Sequence, residues 1–468
     1  MAREQPEDNS SLLRDNLSRE SSAGSGQLLV VNSGPQRDSN AGTSVIILAK
    51  AIVGAGIAAL PLTASLLGWP LSTLFLLGMA YATYYTLVTI IRFSTREGTP
   101  SYAEVVHKLL GKAAGIMLEF AIMAFGLGLM LVYEVVAGDM LVGKPGFKGI
   151  LCQYLGQVEH CHWACNRTIV TGLVTLVVLV PLASFRRMES SAVASWMGMT
   201  ALAVWATSTA ILVVAGAFQG LLHPPSLAPH RSLLGGSGWN VATNVLAIIP
   251  IFTTAFSVQA TAPFVLAELR PQTPAAKSRV SFWALVLTSC LFLLITMGSY
   301  AVFGTDVQSD VLHNFTPKEL RPFLGKDLGT GLYIAVRLSF LVSVLSLYPI
   351  MMFPARDGLL RLTTGRESPS LSNTQFYSVT YAIIAALYLI SVVTPSIWGP
   401  IQIIGATAGA VIGFIAPGML ALLPTEASLM PQHKSSRWRR APGYSLIAIG
   451  VLQGIAGIAS QLLPNKSV

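Results

Sequence analysis

A single lysine stands inside one of the most apolar stretches of the sequence, the string AKAIVGAGIAALP. Lys50 is followed at short spacing by Gly54 and Gly56, and Pro61 closes the string. These breakers weaken a helix, because glycine adds backbone freedom and proline removes an amide donor. Amides released at such a break favour an anion, and released carbonyls favour a cation. The string therefore predicts a site for charged groups, with an amine close to it.

A second apolar stretch shows the same kind of interruption. Pro250 and Pro263 bracket the string IFTTAFSVQATA, which carries the polar side chains Thr253, Thr254, Ser257, Gln259 and Thr261. Two such breaks could bind a carboxylate through amides and an ammonium through carbonyls, which fits an amino acid better than a sugar or an inorganic ion. The alternative is that the small residues only let helices pack closely in lipid.

The composition defines the surroundings of both strings. Of the 468 residues, 53% are hydrophobic and only 11% are charged, whereas soluble proteins carry about 25% charged residues. Several apolar runs reach the roughly 20 residues that a helix needs to cross a bilayer, which is too long for barrel strands. The net charge of +9 is scattered over short loops and forms no basic stripe for nucleic acid. The sequence predicts an all-α protein in a lipid bilayer.

Apolar runs between breakers predict about eleven membrane helices, which we number spans 1 to 11. They lie near residues 43–67, 69–92, 113–142, 168–185, 192–218, 239–266, 281–303, 331–353, 375–394, 398–422 and 443–463. The loops on the same side of the membrane as the N-terminus hold roughly twice as many Lys and Arg residues as the loops on the opposite side. This bias predicts a cytosolic N-terminus. Residues 101–112 are amphipathic, with Ser101 as N-cap and Glu104 three residues later, and should lie along the cytosolic face.

The order of spans predicts a tail and one transmembrane domain. Residues 1–42 are rich in Ser, Asn, Gly and Glu and should form a disordered cytosolic tail. Within this tail, DNSSLL resembles an acidic dileucine signal for lysosomes or vacuoles, although such short strings also arise by chance. Residues 43–468 form the transmembrane domain, with repeat one near 43–218, repeat two near 239–422 and an extra helix near 443–463. Spans 1 and 6 then correspond, and paired broken spans mark the midplane site of secondary transporters.

One outer loop holds most of the cysteines. Three of the four share it, namely Cys152, Cys161 and Cys165. In a non-cytosolic loop they predict one disulfide and one remaining thiol, with the pairing open. The string HCHWAC in this loop has no second metal-spaced pair beside it, so we predict no metal site.

Two sequons fall in outer loops under this topology, NRT at Asn166 and NFT at Asn314. Both are candidate glycosylation sites. Pro317 follows the second sequon and weakens it as an acceptor.

Longer motifs extend over nearly the whole chain after residue 42. They include IVGAGIAALP in span 1, APFVLAEL closing span 6, YAVFGTDVQSDVLHNF after span 7, VRLSFLVSVLSLYPIMMFPARD in span 8 and TPSIWGPIQIIGATAGAVIGFIAPG in span 10. In this order the chain resembles the amino acid/auxin permease family, and more closely its sodium-coupled neutral amino acid transporter branch. The resemblance implies a LeuT-like fold of two inverted five-helix repeats plus an eleventh helix. It also implies secondary active transport of amino acids by alternating access, without a cofactor.

The resemblance also implies a substrate site. In span 1 it consists of Gly54, Ala55, Gly56 and Ile57, and in span 6 of Phe252, Thr253, Thr254 and Ser257. The ion site departs from the family pattern, because sodium-coupled relatives have Asn and Thr where this chain has Lys50 and Leu345. Sodium is a hard cation that needs such oxygen ligands, so we expect transport without sodium.

Lys50 lies about 7 residues, or roughly 10 Å, into span 1 from the cytosolic side. At that depth its amine could replace the sodium of the relatives by touching Ser343 or Ser346, with Glu119 of span 3 as a counterion. Lys50 is then either a permanent tethered cation or a group that releases its proton and couples transport to protons. Proton-coupled relatives in the wider family carry a Lys at this offset, which favours the second interpretation. A third is that the stem reaches the cytosolic interface.

We therefore expect a transporter of amino acids, small neutral ones first, that is sodium-independent and proton-coupled. Its partners are the amino acid, protons and the lipid of a vacuolar, lysosomal or plasma membrane. An amino acid-sensing receptor or scaffold with little flux is the alternative, because a slowly cycling site has the same sequence. An enzyme is not expected, since no HExxH or GxSxG motif is present.

Overall fold

A computed structural model of the protein describes residues 40–99, 101–144, 147–155, 162–186, 191–234, 236, 238–365, 368–394, 398–424 and 437–462. Nearly all of the predicted tail, with its dileucine string, lies outside these residues, and so does Cys161. The described residues are mainly helical. A short hairpin pairs Gly143–Lys144 with Phe147–Lys148 in antiparallel register.

The helices follow the predicted order, with several interruptions. Spans 1 to 5 are Ala41–Ile52 with Leu60–Leu67, Trp69–Glu97, Lys112–Leu141, Arg167–Ala183 and Ser191–Gln219. Spans 6 to 9 are Gly238–Phe256 with Ala262–Ala267, Pro274–Phe303, Pro317–Leu345 with Tyr348–Thr364, and Asn373–Val393. Span 10 runs through Trp398–Ile404, two π-helical segments, Gly405–Gly409 and Val411–Ile415, and Ala416–Ala421, and span 11 is Arg437–Leu462.

The lengths of these helices fit a bilayer. Within the described residues, eight helices are long and apolar enough to cross a membrane, and the bent pair of span 1 makes a ninth. Spans 4 and 6 contain the shorter apolar helices Arg167–Ala183 and Asn244–Phe256. The predicted all-α, multi-pass membrane protein is confirmed.

Spans 1 and 6 are broken where glycine and proline predict it. Span 1 bends by 59° between its two halves, with a 3₁₀ turn, Ala55–Ala58, in the break. Pro61 lies in the first turn of the second half, where no amide donor is needed. Span 6 is non-helical at residues 257–261, and Pro263 occupies the equivalent early position of Ala262–Ala267. Both breaks therefore have a local cause.

Span 8 differs from its predicted range of 331–353. The segment Pro317–Leu345 consists of two helices that meet at Gly325, where φ is 77°, so a further helix precedes the predicted span. The span itself breaks between Leu345 and Tyr348. The hydroxyl of Ser346 donates to the Ser343 carbonyl at 2.6 Å, which competes with the helical bonds of the backbone. The hydropathy pattern did not predict the break at residues 346–347, because the residues on both sides of it are apolar. It also did not predict the helical turns that start at Pro317, because their residues are largely polar.

The amphipathic helix between spans 2 and 3 is Tyr102–Leu110. Its predicted N-cap is present, because the Glu104 N–H donates to the Ser101 hydroxyl at 3.4 Å. Burial raises the pKa of Glu104, but hydrogen bonds from Thr99 and Lys108 outweigh it, and the net pKa lies below the ordinary value. Tyr102 donates to the Ile412 carbonyl at 3.2 Å and ties this helix to span 10.

The candidate disulfide and glycosylation sites lie in loops with different structures. Cys152 and Cys165 form a disulfide, which leaves Cys161 as the remaining cysteine of the loop. Asn166 is exposed and caps span 4 by accepting from the Ile169 N–H at 3.2 Å. Asn314 is only 8% exposed.

The side chain of Asn314 is already engaged within its loop. Its Nδ2 donates to the Asp306 carbonyl at 2.9 Å, and its Oδ1 accepts from the Gln308 N–H at 2.8 Å. A glycan on Nδ2 would break this loop, so the expectation of glycosylation at Asn314 is corrected. Asn166 stays a prediction.

Candidate substrate and ion-coupling site

The broken segments of spans 1 and 6 cross at Gly56. A β-carbon on Gly56 would lie 3.0 Å from the Ala255 Cα and 3.2 Å from its Cβ and N. These atoms belong to the backbone or are fixed to it and cannot rotate away, so any side chain larger than that of glycine would push the two spans apart. Beside it, Ala55 and Ile57 are buried in the 3₁₀ turn. The crossing brings the freed backbone of both spans to one place.

The second half of span 1 presents its amino end at this crossing. The first amides of a helix have no carbonyl partner within the helix, and they favour negative charge. Gly54 is extended there, with φ of −99° and ψ of −161°, and its own N–H is bonded to the Ile52 carbonyl at 2.9 Å. The Ile57 N–H takes part in the 3₁₀ turn by bonding to the Gly54 carbonyl. The amides that remain for a carboxylate therefore belong to Ala55 and Gly56.

A tyrosine of span 3 faces this turn. The Tyr133 hydroxyl lies 3.5 Å from the position of a β-carbon on Gly54. It is buried, and it has no hydrogen-bond partner in the described part of the chain. An orphaned buried hydroxyl costs about 1–3 kcal/mol, so it indicates a polar ligand. Tyr133 was not predicted as a site residue. The feature of the sequence that could have indicated it is a hydroxyl within the apolar string LMLVYEVV.

The hydroxyls predicted from span 6 point to other helices. Thr253 donates to the Gln453 Oε1 of span 11 at 2.8 Å. Thr254 donates to the Pro250 carbonyl at 2.9 Å and to the Ile401 carbonyl of span 10 at 3.3 Å. Both side chains therefore hold span 6 against its neighbours. Their expected role as substrate contacts stays a prediction.

The two other predicted residues of span 6 also have structural contacts. Phe252 stacks on Phe75 of span 2, with ring centroids 5.8 Å apart. Ser257 donates to the Thr253 carbonyl at 2.7 Å, where the helix ends. In this conformation the part of span 6 that meets span 1 is the Ala255 backbone.

Lys50 is fully buried and points at span 8. Its Nζ donates to the Val53 carbonyl at 3.0 Å and to the Ser343 hydroxyl at 3.1 Å. The break in span 1 follows directly after Val53 and frees its carbonyl for this bond. No carboxylate pairs with Lys50 among the residues described. The amine thus lies inside the protein and away from the cytosolic interface.

Span 5 closes the space around the lysine stem. A β-carbon on Gly198 would lie 2.3 Å from the Lys50 Cε and 2.1 Å from the Ser346 hydroxyl oxygen. Ser346 itself donates to the Ser343 carbonyl. Of the two predicted serines, Ser343 binds the amine, and Ser346 lies against the stem.

Glu119 has a different partner from the expected one. Its Oε1 lies 3.4 Å from the Arg361 Nη1 of span 8. The two side chains line a cavity of about 230 Å³ together with Tyr102, Asp357 and Phe264. Glu119 faces the second half of span 8, whereas Lys50 faces the first half, and depth along a helix does not reveal such a difference. The expected Lys50–Glu119 pair is corrected.

Comparison with known proteins agrees with this architecture. Among solved structures, MhsT in complex with L-phenylalanine superposes with a TM-score of 0.56 at 14% identity, over 91% of this chain and 100% of that one. At this identity the likeness concerns the fold alone. The predicted LeuT-like arrangement is confirmed.

Relatives at higher identity carry transporter names. The amino acid transporter AVT6A of Arabidopsis thaliana is 32% identical over 81% of this chain and 80% of its own length. Vacuolar amino acid transporter 2 of Saccharomyces cerevisiae is 24% identical over 86% of this chain and 79% of its own. These relatives are transporters and not enzymes. Residues 37–462 match the family described as transmembrane amino acid transporter proteins, and this chain belongs to that family.

Proposed function

We propose that the protein is a secondary active transporter that carries small neutral amino acids by alternating access. The observation that carries this proposal is the Tyr133 hydroxyl, which is buried opposite Gly54 and has no hydrogen-bond partner among the residues that the structure describes. A substrate carboxylate between that hydroxyl and the amides of Ala55 and Gly56 would accept hydrogen bonds from the hydroxyl and from the amides. Because Gly56 lies against the Ala255 backbone, little space remains between spans 1 and 6 at their crossing. This favours substrates with short side chains.

The contacts of Lys50 support transport without sodium. The amine occupies oxygen ligands, the Val53 carbonyl and the Ser343 hydroxyl, that a cation would otherwise need. A sodium ion beside a protonated Lys50 would meet a like charge in a medium of low dielectric constant, where repulsion is strong. Cation binding there requires that the amine lose its proton or leave.

A buried amine that meets no carboxylate in the described residues can exist without its proton. We therefore infer that Lys50 releases and rebinds a proton during the cycle and couples transport to a proton gradient. The name of the yeast relative favours a vacuolar membrane. An acidic vacuolar lumen would supply the gradient.

Reconstituted vesicles test the proposal directly. Uptake of radiolabelled neutral amino acids is measured while pH and sodium gradients are imposed separately. We expect saturable uptake that follows the pH gradient and is unchanged when choline replaces sodium. Binding without flux under every gradient would instead support the receptor alternative, and strict sodium dependence would refute the role of Lys50.

A lysine variant isolates the coupling step. Lys50→Met keeps an apolar stem and removes the amine, so gradient-driven accumulation should fall at least tenfold while amino acid binding remains. Lys112→Met is the matched control, because Lys112 is exposed at the start of span 3. Normal proton-driven accumulation by Lys50→Met would end the coupling proposal.

A further inference from the structure

A second buried ionisable group lies in span 3, one residue after Tyr133. The Glu134 side chain is fully buried. Its Oε1 accepts a hydrogen bond from the Tyr348 hydroxyl of span 8 at 2.8 Å. The Ser391 hydroxyl of span 9 lies beside the same carboxyl. Glu134 therefore faces away from Gly54, into the contact between spans 3, 8 and 9.

No positive charge neutralises Glu134 within the described ranges. Arg167 of span 4 is paired with Asp139, at 3.0 Å. Lys50 of span 1 is bonded to Val53 and Ser343. The basic residues of spans 1 and 4 are thus engaged elsewhere.

Glu134 lies on span 3, against which spans 8, 9 and 10 pack. From span 8, Tyr348 donates to it, whereas Arg337 donates to the Lys148 carbonyl at 2.9 Å and stacks on Tyr333. From span 9, Tyr388 donates to the Thr168 carbonyl at 3.0 Å. The first segment of span 10, WGPIQII, has no titratable side chain. Glu134 is therefore surrounded by hydroxyls and apolar groups.

A lone carboxylate in such surroundings is expensive, and it becomes neutral by binding a proton. Lys50 becomes neutral by the opposite change, the loss of a proton. Both groups are hydrogen-bonded to the same break of span 8, because Ser343 precedes the break and Tyr348 follows it. A change in this break alters the surroundings of both.

We propose that Glu134 is a proton-binding site of the transport cycle, coupled to Lys50 through the break in span 8. This inference rests on the proposed transport function. The carboxylate takes a proton from a hydronium ion of the acidic compartment and leaves water. After the conformational change it returns the proton to water on the other side and is again a carboxylate.

Glu134→Gln tests the site because it resembles a permanently protonated carboxyl. The full-length protein is placed in vesicles that contain a pH-sensitive dye, and labelled amino acid is followed at the same time. We expect exchange of amino acid against amino acid at nearly the wild-type rate, but at least a tenfold loss of proton entry and of accumulation. Glu319→Gln, exposed on the outer side, is the matched control and should keep both.

Infrared spectra and a second variant test the protonation of Glu134 independently of its effect on transport. Infrared difference spectra between high and low pH should contain the carbonyl band of a protonated carboxyl, and Glu134→Gln should lose it. Tyr348→Phe removes the hydrogen bond but keeps the carboxyl, so it should shift the pH dependence of uptake without abolishing it.

The outcomes separate this inference from the proposed function. Proton-coupled uptake in both wild type and Glu134→Gln would overturn the role of Glu134 and leave transport intact. Wild-type vesicles that transport amino acid without proton entry would overturn the role of Glu134 and the coupling together. Vesicles without any flux would overturn the proposed function itself.

Discussion

Gly56→Ala tests whether the crossing of spans 1 and 6 forms the binding site. The new β-carbon would lie 3.0 Å from the Ala255 Cα, where ordinary contacts are 3.4–4 Å. Because the neighbour is backbone, the spans must separate by a few tenths of an ångström. Overpacking of this kind costs about 1–3 kcal/mol. If the strain falls on the binding conformation, affinity should drop by roughly 5-fold to 150-fold.

Gly54→Ala is the informative comparison. Its β-carbon would meet the Tyr133 hydroxyl at 3.5 Å and the Leu347 Cδ1 at 3.8 Å, which are ordinary contacts. The backbone at Gly54 is extended and open to alanine. We therefore expect a stable protein in which the added methyl occupies space that the substrate needs. Its affinity should fall more for larger amino acids, whereas Gly56→Ala should weaken all of them alike.

Equilibrium binding of labelled amino acids to the purified protein, together with its unfolding temperature, measures both effects. Gly78→Ala in span 2 is the control, since a β-carbon there meets nothing within 4 Å. Wild-type affinity and unfolding temperature in Gly56→Ala would refute the crossing as described. Equal losses for all substrates in Gly54→Ala would remove Gly54 from the substrate site.

Two side chains outside the site give further predictions. Gln453→Leu leaves the Gly405 carbonyl without its donor at 2.7 Å, and should destabilise the protein by about 1–3 kcal/mol; an unchanged unfolding temperature would contradict the bridge. Arg356→Lys loses a planar group that stacks 4.0 Å from the Phe376 ring centre and donates to Ser368 and Thr380, so unfolding should occur at lower temperature with substrate affinity retained. Reduced affinity at equal stability would instead place Arg356 in the transport pathway.

The breaks in spans 1 and 6 could be predicted because their causes are local. Glycine and proline change the backbone energy wherever they occur in a helix, whatever the surroundings. The position of Lys50 beside span 8 was expected from the ion site that the family resemblance implies, together with depth along two helices. The family, the all-α fold and the membrane class came from motifs, composition and hydropathy, and these are confirmed.

The neighbour that each side chain of a helix contacts could not be predicted from local sequence. Successive residues of a helix turn by about 100°, so Thr253, Thr254 and Ala255 point to three different neighbours. Which one meets span 1 depends on the rotation of span 6, and that rotation is set by packing at Gly56. The predicted pair of Glu119 with Lys50 was wrong for the same reason. The depth of Glu119 along span 3 suited the pair, but its side chain points to Arg361 instead. Tyr133 was missed because a tyrosine in an apolar helix gives no periodic signal.

Span 11 stands outside the two repeats, yet it is locked into them. Gly457 lies so close to span 10 that a β-carbon would be 2.3 Å from the Ala406 Cβ, and Gln453 reaches both span 6 and span 10. In a protein that ends after span 10, the Gly405 carbonyl would lose its donor and face the acyl chains of the lipid. The surface at Ala406, which Gly457 covers in the full chain, would face them as well. We therefore expect that a protein without residues 437–462 is unstable in the membrane and is degraded.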